Sequence, residues 1–378
     1  MTPREQLRYK VRRPLMEFYE KRIKKLQALL KKLDLQGLIV ANGSNMRYLT
    51  GFTGGTGDGL VIVSLADAAL ITDARYENEY VDTLPEGVSL QVTRDYYGQA
   101  VKQAVAFGIE KLGFEADLPF VNYELLDDLL PANISFDAVP GAVEALREVK
   151  DEAEVAALKK AAEASTKAFN QLMTEIKVCW TEKQVADRLD VLQKQYGGEK
   201  PSFDTIVASG ARSAMAHGTA TDKKLEKGDL VTIDFGYYVD GYTSDVTRTF
   251  AIGEIDPELA KIYAIVKQAN EDGIDVVKPG LSTAEVDKVV RDYIEGEGYG
   301  DYYIHSTGHG AGLDIHEGPI LSARSSDEVQ EGNLLTIEPG IYLAGKGGVR
   351  IEDDVLVTEN GHEVLTAGIP KELITIDC

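Results

Sequence analysis

The amino-acid sequence predicts an α/β (α+β) chain of two domains: a small N-terminal α/β domain over residues 1–145, then a larger domain over 146–378 made of two pseudo-two-fold αβ halves. Three observations lead there. At 378 residues the chain exceeds the ~100 to 200 residues that one core usually organises. Near 140–152, in VPGAVEALREVKDE, a proline, a glycine and mixed charge break the pattern before a long Ala-rich helical text begins. Beyond that break, two similar helix-start signals, at Thr181 and Ser282, lie 101 residues apart.

In the first domain Leu15, Phe18, Tyr19, Ile23, Leu26, Leu29, Leu30 and Leu33 recur at three- and four-residue steps and predict an amphipathic helix over 15–35. Strand text follows at GLIVA (37–41), GLVIV (59–63) and AALIT (68–72). The glycine-rich GFTGGTGDG lacks both the phosphate-loop pattern and a helix-opening dinucleotide fingerprint, so it reads as a loop. In the larger domain Val155, Leu158, Ala162, Phe169 and Leu172 begin a long helix. Thr181 with Gln184 and Ser282 with Glu285 then read as capping boxes, in which the paired side chains satisfy the orphan N–H groups of a helix start. Strand text after each implies a mostly antiparallel sheet covered by helices.

Composition narrows the function. With 44% hydrophobic and 27% charged residues the chain resembles a soluble globular enzyme, and no apolar run reaches the ~18 residues of a membrane span. The start, MTPREQLRYKVRRPLMEFYEKR, is charged throughout and shows no secretory signal, so the expected location is cytoplasmic. A net charge of -22 argues against nucleic acid as a partner, because that binding needs clustered Lys and Arg. The two cysteines, Cys179 and Cys378, are too few and too distant for a disulfide framework and are expected to be inert.

The chemistry concentrates in the last 150 residues. In LVTIDFGYYVDGYTSDVTRTF, Asp240-Gly241 is a two-residue hairpin signal, which pairs Val239 with Tyr242 and sets Gly236 opposite Asp245. Asp234 then lies diagonal to Asp245 on the same face, roughly 7 to 8 Å away at the backbone. Two carboxylates converging in such apolar text resist ionisation unless a cation lies between them; two water-facing aspartates on a sheet are the alternative. Of five histidines, His305, His309 and His316 fall within twelve residues in YIHSTGHGAGLDIHEGP, where glycines would let the backbone bend and gather the rings. Glu338 in LLTIEPGIYL and Glu352 in GGVRIEDDVLV interrupt strand text, which is costly unless they are paired, although either could be an edge position facing water. Four carboxylates and one imidazole suit two Mn²⁺ ions, with Co²⁺ or Zn²⁺ less selectively, and two such ions suit amide hydrolysis.

Taken together, IDFG (Asp234), SDVTRTF (Asp245), TGHGAG (His309), IEPG (Glu338) and RIED (Glu352), five motifs in order, resemble the pita-bread metallopeptidases: methionine aminopeptidase, aminopeptidase P and prolidase. The resemblance implies that Asp245 and Glu352 bridge two ions, that Asp234 completes one, and that His309 and Glu338 complete the other. It implies Glu338 as general base, His217 in MAHG with His305 and His316 as substrate-binding and intermediate-steadying groups, and Arg350 as a brace for the metal carboxylates. Ala216 departs from the Pro that relatives often carry before that histidine, and His362 matches no motif. The preceding domain, with NMRYLTGFTGGTGDG and ITDARY, is similar to that of aminopeptidase P and related prolidases. The C-terminal text is closer to bacterial aminopeptidase P, which implies cleavage of peptides with proline second, the alternative being an Xaa-Pro dipeptidase. Arg212 is the one candidate for a clamp on the proline carboxylate. A homodimer or tetramer is also implied. A non-catalytic binding module of this fold and a metal-free relative such as creatinase both lack the five-residue set.

Overall fold

The computed structural model describes the backbone of residues 3–377, and the side chains of the first helix from Leu15 onward. Cys378 lies outside the described residues, and Cys179 is a free, exposed thiol. The chain divides into two compact units, Met1–Arg147 and Glu148–Cys378.

The first unit opens on a helix that runs from Pro3 to Lys32, longer at its start than the apolar stripe predicts and three residues shorter at its end. Ile23, Leu26 and Leu30 are buried, whereas Leu15 and Leu33 at the edges of the stripe are exposed. A six-stranded mixed sheet follows, in the order Val88–Val92, Ala68–Thr72, Gly59–Ser64, Gly37–Val40, Lys111–Glu115, Ser135–Val139. The three strands expected from the sequence form its centre and are buried throughout. The glycine-rich segment is a loop, entered through Gly51 at φ 74°, which ends the helix Gly43–Thr50.

The second unit contains two halves with the same connectivity. The first is a helix (Glu152–Glu175), a second helix (Glu182–Gln195) and three antiparallel strands (Ile206–Ser209, Leu230–Phe235, Val246–Ile252). The other repeats the order: Pro257–Asp275, Thr283–Gly296, then Gly308–Gly310, Leu334–Ile337 and Asp353–Thr358. Both predicted capping boxes are present, with Thr181 and Gln184 at one helix start and Ser282 and Glu285 at the other.

Alternation along these strands separates core from site. Val231, Ile233 and Phe235 face the helices with Val246, Phe250 and Ile252, and Phe235 stacks on Phe169 at 5.9 Å. The opposite face of the same two strands carries Thr232, Asp234, Thr247 and Thr249. In the other half Leu335 and Ile337 join Val355 and Val357 in a core, which turns Thr336, Glu338, Glu352 and Asp354 the other way. The core faces carry a charged pair of their own, Arg248 and Asp353, buried against each other at 2.7 Å.

Candidate metal centre

The hairpin holds the register read from its turn. Asp240 and Gly241 sit at φ 51° and 80°, the left-handed pair that a two-residue turn demands. Val239 pairs with Tyr242, and beyond a short interruption Phe235 pairs with Val246 and Asp234 with Thr247 in the same register. Gly236 is the close point of the interruption, where a Cβ would run into the Ser244 carbonyl. In the second sheet Ile337 pairs with Asp353, so Glu338 and Glu352 lie just past the end of one ladder.

His309 is placed by close approach rather than by a bend. Neither Gly308 nor Gly310 adopts a positive φ; both strand neighbours press so near that a Cβ at Gly308 would meet the Thr336 carbonyl and one at Gly310 the Gly318 carbonyl. The expected tight turn is therefore replaced by tight packing of extended chain.

Nine of the residues singled out in the sequence line one cavity of about 590 Å³: His217, Asp234, Asp245, His305, His309, His316, Glu338, Arg350 and Glu352. Asp245, His309 and Glu352 are buried and offer ligand atoms that all lie within 4.8 Å of one another. His309 Nε2 is 3.6 Å from Asp245 Oδ2 and 3.5 Å from Glu338 Oε1. Asp234 leans the other way: its Oδ2 accepts from Arg350 at 2.6 Å, and its buried Oδ1 has no hydrogen-bond partner. His316 stacks edge-on against His309, with ring centres 4.4 Å apart. His217 and His316 are exposed within the cavity, whereas His305 is half-buried. Arg212 is absent from the lining and is engaged elsewhere; His362 meets the Val277 carbonyl.

The electrostatics of this cluster are unresolved by protein groups alone. His309 Nδ1 lies 2.9 Å from the Gly310 carbonyl, which can only accept, so Nδ1 carries the ring hydrogen. Burial holds the imidazole at about 4, so it is neutral and Nε2 presents a lone pair to two carboxyl groups. Burial, and then the charges of Glu352 and Asp234, push Asp245 well above the usual carboxylate range. Glu352 is pushed the same way by burial and then by Glu338 and Asp234. Burial lifts Glu338 to about 8 against the pull of Arg350. Without a cation these buried carboxyl groups resist ionisation beside one another and beside the His309 lone pair, and a set of carboxylates and one imidazole fits divalent cations.

The metallopeptidase family M24 model matches residues 156–359, and that of the creatinase/prolidase N-terminal domain matches 22–149. The chain belongs to metallopeptidase family M24. An uncharacterized peptidase of Bacillus subtilis, YqhT, is 41% identical to this M24 chain, covering 94% of it and all of the relative. A solved Xaa-Pro dipeptidase from Bacillus anthracis superposes with a TM-score of 0.91 at 40% identity, covering 95% of this chain and all of the other. The X-Pro aminopeptidase of Thermotoga maritima superposes with a TM-score of 0.84 at 34% identity, covering 92% and 99%. No helix among the described residues of the M24 chain is long and apolar enough to cross a membrane.

Three residues that hydrogen-bond to members of this candidate site escaped the sequence reading. Tyr342 links two expected members: its hydroxyl accepts from Arg350 at 2.8 Å and meets His305 Nε2 at 2.9 Å. His305 Nδ1 faces the Ser306 carbonyl at 2.8 Å, so Nε2 is the acceptor for the tyrosine. Thr247 donates to Glu352 at 2.6 Å and accepts from Arg350 Nε at 3.1 Å. Asp354 accepts the Asp245 backbone N–H at 3.0 Å. Thr247 was findable, since it stands two positions from Asp245 on the same strand face. Tyr342 had no such signal, because its neighbour in space, His305, is 37 residues away.

Proposed function

We propose that this M24 chain hydrolyses the bond before proline at the amino terminus of peptides, with two divalent ions held by Asp234, Asp245, His309, Glu338 and Glu352. The reading is carried by the neutral His309 imidazole aimed at Asp245 and Glu338 with no hydrogen of its own to share. It is supported by the orphaned Asp234 Oδ1 beside them. Such a set suits Mn²⁺ first, then Co²⁺ or Zn²⁺. When bound, the ions supply Lewis acidity toward the scissile carbonyl and lower the pKa of water.

The chain's own residues supply the remainder. Glu338 lines the cavity among the proposed ligands, where as the carboxylate it would take a proton from the attacking water. His217 and His316, exposed in the cavity, are placed to donate to the developing oxyanion. Arg350 holds Asp234 and, through Tyr342, orders His305. Phe203, Ile206, Ile315 and Ile320 give the cavity apolar walls of the kind that accept a proline ring.

Substrate length has two readings. Cleavage of longer peptides is favoured by the lack, among the described residues that line the cavity, of a spare guanidinium: Arg350 is bound to Asp234, Tyr342 and Thr247, while Arg212, outside the lining, is bound to Glu182 and the Thr219 carbonyl. Dipeptide hydrolysis is favoured by the name of the Bacillus anthracis structure, at least as strongly. Kinetics of the Mn²⁺-loaded chain on an Xaa-Pro dipeptide and its one-residue extension decide between them. The expected result is kcat/KM for the tripeptide at least equal to that for the dipeptide; activity confined to the dipeptide selects the second reading, and no activity on either rejects both.

A further inference from the structure

Glu182 is a fully buried carboxylate outside the cavity, at the first turn of the helix Glu182–Gln195. Its Oε1 accepts from the Ser209 N–H and hydroxyl, both at 2.8 Å. Its Oε2 accepts from the Thr221 N–H at 3.0 Å and hydroxyl at 2.6 Å. Arg212 Nε reaches both oxygens, at 3.2 and 3.1 Å, and Arg212 also donates to the Thr219 carbonyl at 2.6 Å. Burial pushes this carboxyl up, but the donors from Thr221 and Ser209 outweigh it and leave it below the usual range. Ser209 and Thr221 bracket the segment that carries Ala216 and His217 into the cavity. One side chain therefore ties both ends of the segment and, through Arg212, its interior.

We propose that Glu182 is the positioning residue for His217, closing the 209–221 segment so that an otherwise exposed imidazole stands at a fixed place on the cavity wall. A carboxylate is required, because all of its donors point inward and an amide would turn two hydrogens toward the Thr221 or Ser209 pair. The inference rests on the reading of His217 as a group that touches substrate.

The test is a double-mutant cycle with hydrogen exchange as a second readout. Glu182→Gln in the full, Mn²⁺-loaded chain is expected to lower kcat by about 10- to 100-fold with little change in KM. The double variant Glu182→Gln/His217→Ala should be no slower than His217→Ala alone, since both changes remove the same interaction. Backbone amides of 210–220 should exchange faster in Glu182→Gln while those of 303–310 keep wild-type protection. Multiplying losses in the double variant, a fully active His217→Ala, or equal acceleration of exchange in both segments overturns the proposal. If Glu182→Gln does not fold, Ser209→Ala/Thr221→Val, which keeps the ion pair with Arg212, carries the same cycle. A wild-type chain inactive on every Xaa-Pro peptide rejects the substrate reading, and exchange still decides the role of Glu182.

Discussion

Under the proposed function Glu338 serves both proton transfer and ion binding, and the two roles separate experimentally. Glu338→Gln keeps the shape of the side chain and removes the proton acceptor, so kcat is expected to fall by about 10²- to 10⁴-fold while the far-UV spectrum is unchanged. Near-normal turnover in that variant would remove Glu338 from the role of base. Its ionisation also sets a pH dependence on folding. The folded metal-free chain holds a proton on Glu338 up to about 8, whereas the unfolded chain releases it near the ordinary 4.5. The folded state thus binds more protons in that window, and its stability is fully present below about 4.5 and lost as pH rises through about 8. Asp245 and Glu352, raised by burial first, act in the same direction. The unfolding midpoint of metal-stripped protein should therefore drop between about pH 5 and 8, and saturating Mn²⁺ should abolish the drop. A midpoint that rises over that window contradicts the assignment.

Strands place these residues, and what could be read of them in advance follows from how locally each was specified. The hairpin at Asp240-Gly241 was legible because turn chemistry alone fixes its register, and that register sets Asp234 and Asp245 on one face. The central strands of the first sheet were legible as continuous apolar runs. Val88–Val92 and Ser135–Val139 were not: as edge strands they keep water on part of their surface, and their text, VSLQV and SFDAV, mixes polar with apolar. Likewise Pro14 lies inside Pro3–Lys32, and because proline usually opens or breaks a helix the sequence does not announce the earlier turns, even though Leu7 and Val11 keep the four-residue step to Leu15. The glycines around His309 announced a special backbone but not which kind. Their use as close contacts gives a direct prediction. Gly308→Ala drives a methyl into the Thr336 carbonyl, on the residue whose hydroxyl receives the His309 N–H at 3.0 Å. Destabilisation of about 1 to 3 kcal/mol in urea unfolding is expected, with weaker Mn²⁺ binding by titration calorimetry. Wild-type stability in that variant would mean that the strands part without cost.

At the scale of the molecule, the five proposed ligands join the two halves of the second unit: Asp234 and Asp245 come from one, His309, Glu338 and Glu352 from the other. Ion binding should therefore act as a clasp. At about a hundredfold excess of ion over Kd, the unit should gain about 2.7 kcal/mol against unfolding, seen as a concentration-dependent rise in Tm. Asp245→Asn is expected to lose both the bound ions, measured by elemental analysis, and that rise; two tightly held ions in the variant would contradict the bridging role.

The shared connectivity of the halves has a consequence for the symmetry of the site. Helix, capped helix and three antiparallel strands recur in the same order, yet the ligands divide two and three. A chain spanning only one half of the second unit would supply only one wall of the cavity. Such a chain could assemble a comparable site only by pairing with a second copy of itself, giving identical contributions from both sides. The present division into unequal shares is open only to a chain whose two halves differ in sequence, one carrying aspartates on its hairpin and the other a histidine between glycines.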